Sequence, residues 1–495
     1  MSKIIIQNGN MCELDLPLKF AQKLYNEFAI RHPNAFYLRT RQRGMQNWDG
    51  KIHYITKTGQ FKIGLLPKVY DMCIEMGIKP KVVDMRQPLP KASKVVTKIG
   101  KYKLRPEQEK AVKAVINNTI GGKPFHIGVL DYTVNAGKTL IMSSLYLSYK
   151  KQLKTLLITN DSDWLNQARE EFKQYLPGED ITFVQGKVLN WSNFTIGMVQ
   201  SISRNMRFYQ KELSQIDMVL IDEADQGGSR QYQNVITRLF NTRIRIGLSG
   251  TIYMSKLAKD RVKNMNLECF FGKVIAEFKL KDSIKKGYST KTVVKMVPGK
   301  PWYGNWESDC ISYKEIYDDS ITNCYTAWLM AYNRLLWNLN QGRYPALVVC
   351  KHIAHCENLY KFFKKKLGDA YNIAYVHVNT PSKLRQQIMK DFREGKIDIL
   401  VSTTIIARGK NFPKLRYLLN AASMDSQEKS IQFLGRLVRT DKSKKKVYLD
   451  DLHYPGPYLD RHGKHRKQYY QRQELKVILL DKLWKKHPNH SLIKS

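Results

Sequence analysis

A chain of 495 residues, 43% of them hydrophobic, has ample material for buried cores; this excludes a disordered protein and leaves room for about three domains. Lys and Arg number 83 against 43 Asp and Glu, a net charge of +40 that is the footprint of a protein living on phosphate backbones, although charge alone separates neither DNA from RNA nor either from an anionic membrane. No run of 18 apolar residues, no apolar stretch after the start typical of a secretory signal, and 7 scattered cysteines lead us to expect a chain without a membrane span, with reduced thiols, in a cytoplasmic compartment.

The first ~95 residues carry a short α/β pattern. LPLKFAQKLYNEFAI has helical spacing, KIHYIT strand spacing, KVYDMCIEMG helical spacing and KVVDM strand spacing. The stretch from Arg86 to Lys103 is basic, holds two prolines and predicts a linker. From Leu104 onward short apolar runs alternate with longer helical stretches: FHIGVL, TLLIT, FTIGMV, MVLID and IRIGLS. A second series follows at ALVVC, AYVHV, IDILVS, RYLLNAA and VYLDD. Such runs predict parallel strands buried on both faces, hence two doubly wound α/β domains in tandem. Between the series, about residues 256–340, the pattern is mostly helical and predicts a connecting segment. The expected division is 1–95, 96–255, 256–340, 341–455 and a basic helical extension at 456–495.

TVNAGKT, Thr133 to Thr139, stands between a strand and a helical run, which is the setting a phosphate-binding loop needs. Backbone N–H groups of Asn135, Ala136 and Gly137 would cradle phosphate oxygens at the helix N-terminus. Lys138 would reach the β- and γ-phosphates of ATP, and the Thr139 hydroxyl would hold Mg²⁺. Tyr132 stands where the general pattern has its leading glycine. MVLIDEAD sets Asp222 and Glu223 at the carboxyl end of an apolar run, the edge at which open α/β sheets bind ligands. Asp222 there would bind Mg²⁺, and Glu223 would orient and deprotonate the attacking water.

These residues carry a resemblance. TVNAGKT, DEAD (Asp222 to Asp225) and SGT (Ser249 to Thr251) resemble motifs I, II and III of superfamily 2 helicases, and LRPEQ resembles their adenine-reading motif, with Gln108 in the base-contacting place. STTIIARGKNFP resembles motif V through Thr403, Ala407, Arg408 and Gly409; QFLGRLVR resembles motif VI through Gln432, Gly435, Arg436 and Arg439. The resemblance implies two RecA-like domains, with Arg436 and Arg439 as arginine fingers on the γ-phosphate, and ATP-driven closing and opening. Thr404 and Asn411 stand where motif V often carries Asp, at positions that usually tune the coupling of ATP to nucleic acid.

DEAD is spelled out literally, yet the RNA helicases of that name carry AxTGxGKT and SAT where this chain has TVNAGKT and SGT. NWDG (Asn47 to Gly50), GLLPKVYDMCIEMG, LRPEQEKAV and RHGKHRKQYYQRQE instead resemble the phage UvsW-type recombination helicases. That resemblance implies a DNA helicase or translocase remodelling branched DNA in an infected bacterial cell, with phage recombination and single-strand-binding proteins as partners. An RNA helicase, and a translocase that tracks on duplex without separating strands, are the alternatives.

The expected nucleic-acid contacts are softer readings of local chemistry. Arg41, Arg43 and Lys51 crowd around Trp48, cations interleaved with an aromatic ring. Gln200 follows FTIGMV, Thr403 belongs to the motif V stretch, and Arg461, Lys464 and Arg466 lie in the basic terminal stretch. Cys350, His352, His355 and Cys356 cluster as CKHIAHC, but they end a strand and open a helix with no second ligand pair at finger-like spacing, so zinc is not expected there.

Overall fold

The computed structural model describes residues 2–41, 45, 47–90, 92, 94–149, 152–186, 190–252, 260–299, 312–407, 412–441 and 443–480. The chain divides into two compact units, Met1–Phe278 and Lys279–Ser495. No helix among the described residues is long and apolar enough to cross a membrane.

The first unit begins with a four-stranded sheet of β1 (Lys3–Ile6), β2 (Met11–Asp15), β3 (Gln60–Lys62) and β4 (Lys81–Asp84), in the order β3-β2-β1-β4. The two predicted helices appear at Leu18–Glu27 and Leu66–Glu75. The predicted KIHYIT strand is shortened to Lys51–His53, which pairs with Ala29–Arg31 around the helix Ala35–Arg41.

A seven-stranded parallel sheet follows: β5 (His126–Tyr132), β6 (Thr155–Thr159), β7 (Ile181–Val184), β8 (Phe194–Met198), β9 (Met218–Asp222), β10 (Ile244–Ser249) and β11 (Val274–Phe278). Their order is β7-β8-β6-β9-β10-β5-β11. All five predicted strands of this series are present, and β5, β6, β8, β9 and β10 are buried along their whole lengths, as parallel strands covered on both faces must be.

The second unit repeats the plan with β12 (Lys291–Pro298), β13 (Ala346–Cys350), β14 (Ile373–Val376), β15 (Ile399–Thr403), β16 (Tyr417–Asn420), β17 (Lys446–His453) and β18 (Val477–Leu479). The order is β14-β15-β13-β16-β17-β12-β18, again with parallel pairings throughout. Two tandem RecA-like doubly wound sheets are thus the architecture.

Three expected boundaries are corrected. Residue 95 is no break in the core: Ile4, Ile6, Cys12 and Leu65 of the N-terminal part share one apolar cluster with Ile127, Leu156 and Phe271 of the parallel sheet. Arg245 of β10, fully buried, fastens the two, its guanidinium donating to Gly9 O at 2.6 Å, Asn10 Oδ1 at 2.8 Å and Phe270 O at 3.2 Å. The stretch expected to be a helical connector holds β11, which completes the first sheet, and β12, which sits inside the second. KTVVKMVP interleaves lysines with apolar residues, so it lacks the continuous apolar run that signals a strand buried on both faces. Finally, the terminal stretch is no appendage, since β18 pairs with β12 and the helix Leu459–Arg472 buries Leu459, Arg466, Tyr469 and Tyr470.

Candidate nucleotide site and motor elements

In the first sheet β9, β10 and β5 are neighbours, so the segments that leave their carboxyl ends lie side by side: DEAD after β9, SGT after β10 and TVNAGKT after β5. The loop after β5 turns by two left-handed residues, Asn135 at φ 63° and Gly137 at φ 71°, and Gly137 caps the helix Lys138–Ser148. The left-handed conformation of Gly137 is what favours glycine there; a Cβ would also crowd Gln108 Nε2 at 2.3 Å and push that side chain aside.

Gln108 is buried and ties the helix Pro106–Ile116 to this loop: its Oε1 accepts from Arg105 N at 2.8 Å and its Nε2 donates to Ala136 O at 2.8 Å. Arg105 donates to Asn135 O at 3.1 Å. Arg105 and Gln108 thereby occupy the carbonyl groups of Asn135 and Ala136, an arrangement in which the loop's N–H groups would remain for an anion. Sequence reading missed Arg105, since LRPEQ draws the eye to its glutamine.

Lys138 Nζ lies 3.9 Å from Asp222 Oδ1. Asp222 is buried, and that same Oδ1 accepts no hydrogen bond among the described residues. A buried carboxylate oxygen facing an ammonium, with Thr139 in the first helical turn, is a donor set that fits Mg²⁺ and a phosphate. Burial raises the Asp222 carboxyl against the opposing pull of Lys138. Glu223 is held at φ 52°, outside the region that residues with a Cβ favour. Its carboxyl is pushed up to about 8, first by burial and then by Asp222, Asp225 and Asp161.

Behind these acids runs a polar network that sequence reading did not assemble. Ser249 Oγ donates to Asp225 Oδ1 at 2.7 Å, and Thr251 N donates to Ser249 Oγ at 3.1 Å, so motif III is wired to motif II. Gln226 Nε2 donates to Glu223 Oε2 at 3.3 Å, Asn160 hydrogen-bonds Gln226, and Gln200 Nε2 donates to Asn160 O at 3.4 Å. Gln200, one of the expected nucleic-acid contacts, is therefore linked to the Glu223 carboxylate through two intervening residues, Asn160 and Gln226. The partners lie 40 and 66 positions apart along the sequence, which hides the network from any local pattern.

The second-unit residues are placed as follows. Thr403 ends β15 and is buried, while Thr404 accepts from Lys429 Nζ at 3.2 Å. Arg436 lies in the last turn of the helix Gln427–Leu437, and Arg439 follows that helix, its carbonyl accepting from Thr290 Oγ1 at 3.2 Å. Both side chains are half-buried. Gly409, with Arg408 and Asn411, falls outside the described residues, as does Arg43.

Among the softer expectations, Arg41 is exposed and its guanidinium lies 5.0 Å from the ring centre of Tyr37. Trp48 is half-buried and donates to Lys51 O at 2.9 Å; Lys51 is exposed. Arg461 and Lys464 are exposed, Lys464 pairing with Asp460 at 2.6 Å. Arg466 is a correction: it is fully buried, donating to Asp451 at 2.9 Å, Met424 O at 3.0 Å and Leu452 O at 2.9 Å, so it cannot contact nucleic acid. Asp451 is saturated in turn by Asn420 and Tyr470, each at 2.8 Å. In CKHIAHC, His355 Nδ1 faces the Tyr317 hydroxyl at 3.2 Å, and burial pushes the imidazole down to about 3; Cys350 and Cys356 are buried beside it.

Comparison with known proteins agrees with this geometry. Residues 101–254 match the family described as type III restriction enzyme, res subunit, and residues 329–441 match the helicase conserved C-terminal domain. The ATP-dependent DNA helicase uvsW of Enterobacteria phage T4 is 21% identical over 452 residues, covering 82% of each chain. Helicase 22 of Sulfolobus islandicus filamentous virus is 22% identical over 71% of this chain, which spans 64% of that relative's length. In fold, a fragment of an HsdR subunit of a type I restriction enzyme from Vibrio vulnificus superposes with a TM-score of 0.58 at 15% identity, covering 87% of this chain and 78% of that one. The two halves of a helicase motor are thus matched in order along the chain, as in superfamily 2 helicases, and the chain resembles the phage UvsW-type members.

Proposed function

We propose that the chain is an ATP-dependent DNA helicase or translocase that remodels branched DNA, moving junctions, regressing forks and dissolving D-loops and R-loops, in the cytoplasm of a phage-infected bacterium. The observation that carries the choice of DNA is the likeness to a DNA helicase along 82% of both chains. The net charge of +40 suits a polyanion, and the pairing of Lys138 with a buried, otherwise unbonded Asp222 oxygen suits nucleotide hydrolysis.

In this reading the N–H groups of Asn135 to Gly137 and the Lys138 ammonium bind the phosphates, and Thr139 and Asp222 hold Mg²⁺. The metal, when bound, neutralises charge that develops on the transferred phosphoryl group. Glu223 positions a water and takes its proton. Lys138, which opposes the rise of the Glu223 carboxyl, would draw it back toward the ionised form. Arg436 and Arg439 are the residues that the helicase resemblance assigns as arginine fingers, a role worth on the order of 10³–10⁵ in rate. The chain from Glu223 through Gln226 and Asn160 to Gln200 is a route by which nucleic acid at Gln200 reorients the base.

The test is ATP hydrolysis and strand displacement measured with a Holliday junction, a fork, a D-loop, an R-loop, plain duplex and RNA duplex. Preferential turnover and displacement on branched DNA are expected. Equal or better turnover on RNA duplex would make it an RNA helicase, turnover on duplex with triplex displacement alone a translocase, and no phosphate release with DNA and Mg-ATP would end the motor reading.

A further inference from the structure

In the second unit, three cationic groups converge on one indole; Lys295, which is one of them, lies on β12, four strands across the sheet from the β15 strand that ends at Thr403. Lys295 Nζ and the guanidinium carbons of Arg334 and Arg343 lie 4.8, 4.9 and 4.7 Å from the ring centre of Trp337, which is 42% exposed. Arg343 also stacks on Tyr448 at 3.6 Å, and Lys446 Nζ is 6.0 Å from that same ring. The parallel register of β12 and β17, which sets Val293 opposite Tyr448 and Lys295 opposite Asp450, puts these residues on one face of the sheet. The end of the helix Tyr325–Leu339 lays Arg334 and Trp337 over it.

The cluster is short of negative charge. Asp450 is 1% exposed, pairs with Arg334 at 2.6 Å and also accepts from Asn338 and Tyr417. Among the described residues this is the cluster's one ion pair; Arg343 donates to the neutral Asn338 Oδ1 at 2.9 Å. Three charges within 5 Å of one point are no more than about 10 Å apart, within one Debye length, so salt screens their repulsion poorly. Lys295 feels it: burial and then the neighbouring Arg334, Arg343 and Lys446 charges hold its ammonium below the ordinary range, with Asp450 opposing. Assembled like charge around an uncovered ring is relieved by an anion from outside.

We propose that this patch is a second nucleic-acid contact, which binds the phosphate backbone of a duplex DNA arm while the motor engages DNA elsewhere. A protein partner fits it poorly, because interface cores are depleted of lysine whereas Lys295 and Lys446 are integral here. Base stacking fits poorly too, since the indole already carries cations. Duplex DNA presents one charge per about 1.7 Å of axis and needs only a cationic, polar surface. The inference leans on the proposed DNA activity only for the kind of polyanion.

The test uses the full chain with Lys295→Gln, Arg343→Gln and Lys446→Gln combined. Fluorescence anisotropy is read against salt on a fork with long duplex arms and on a short single strand that fills only the motor. On the fork, the slope of log affinity against log salt should become shallower by about 2–3, at roughly 0.9 per phosphate contact, with affinity at least about tenfold weaker at moderate salt. Short-strand binding, and the ATP hydrolysis it stimulates, should not change. Lys446→Glu alone, at an exposed strand start, should flatten the slope by about 1 and guards against misfolding of the triple variant. An unchanged fork slope in both variants overturns the inference while leaving the motor reading intact. Poly-glutamate binding that the triple variant loses, with the fork slope unchanged, would overturn it in favour of an acidic protein partner. Failure of the parent protein to bind any DNA would sink both readings.

Discussion

Glu223 pairs an unusual backbone with an unusual charge state, and both have consequences that can be measured. A carboxyl lifted from 4.5 to about 8 holds its proton at neutral pH in the nucleotide-free protein. Because the folded value exceeds the unfolded one, the stabilisation it brings is complete below about pH 4.5 and is lost as pH rises through about 8. Glu223→Gln removes that loss, so above pH 8, without metal or nucleotide, the variant should be more stable than the parent by about 0.5–2 kcal/mol in thermal unfolding. The same substitution should abolish ATP turnover; a variant that is less stable at high pH would contradict the assigned environment. Lys138→Ala should lower DNA-stimulated hydrolysis to about a thousandth of the parent or less while DNA affinity stays within a few-fold. Comparable hydrolysis by mutant and parent would remove Lys138 from the phosphate site.

Two buried arginines fasten secondary-structure elements to one another. Arg466 binds its helix to β17 through Asp451, and Arg245 binds β10 to the N-terminal turn at Gly9 and Asn10. Removing one partner of a buried charge pair strands the other, at a cost of about 3–5 kcal/mol. Arg466→Ala should therefore lower stability by that order, seen in denaturant unfolding, yet leave DNA affinity of the folded fraction unchanged. A selective loss of DNA binding at unaltered stability would restore Arg466 to the nucleic-acid surface. Arg245 has neutral acceptors rather than a carboxylate, and burial pushes its guanidinium down to about 9. It lies on the same strand as Ser249, so the strand that carries motif III is also the strand fastened to the N-terminal turn.

Across the molecule as a whole, charge has the longest reach. If six to ten phosphates are neutralised, affinity for DNA should fall about 10³–10⁵-fold between 50 and 200 mM salt. Anisotropy titrations across that range give the number directly, and a flat response would show that the excess of 40 positive charges is not spent on phosphate contacts.

Amino-acid order alone made most of the long apolar strands of the two parallel sheets legible, and it set the residues proposed to bind nucleotide, Lys138, Thr139, Asp222 and Glu223, at short, fixed spacings beside such strands. Within the two parallel sheets it missed β7, β11, β12 and β18, whose mixed or short runs become strands only by pairing at and near the sheet borders. Only tertiary structure decided that Arg466 is interior, that Gln200 reaches Glu223 through Asn160 and Gln226, and that Lys295, Arg334 and Arg343 share one indole. The physical reason is one of range: propensity and spacing act over a few residues, whereas burial and charge are set by neighbours that the fold brings from tens to hundreds of positions away.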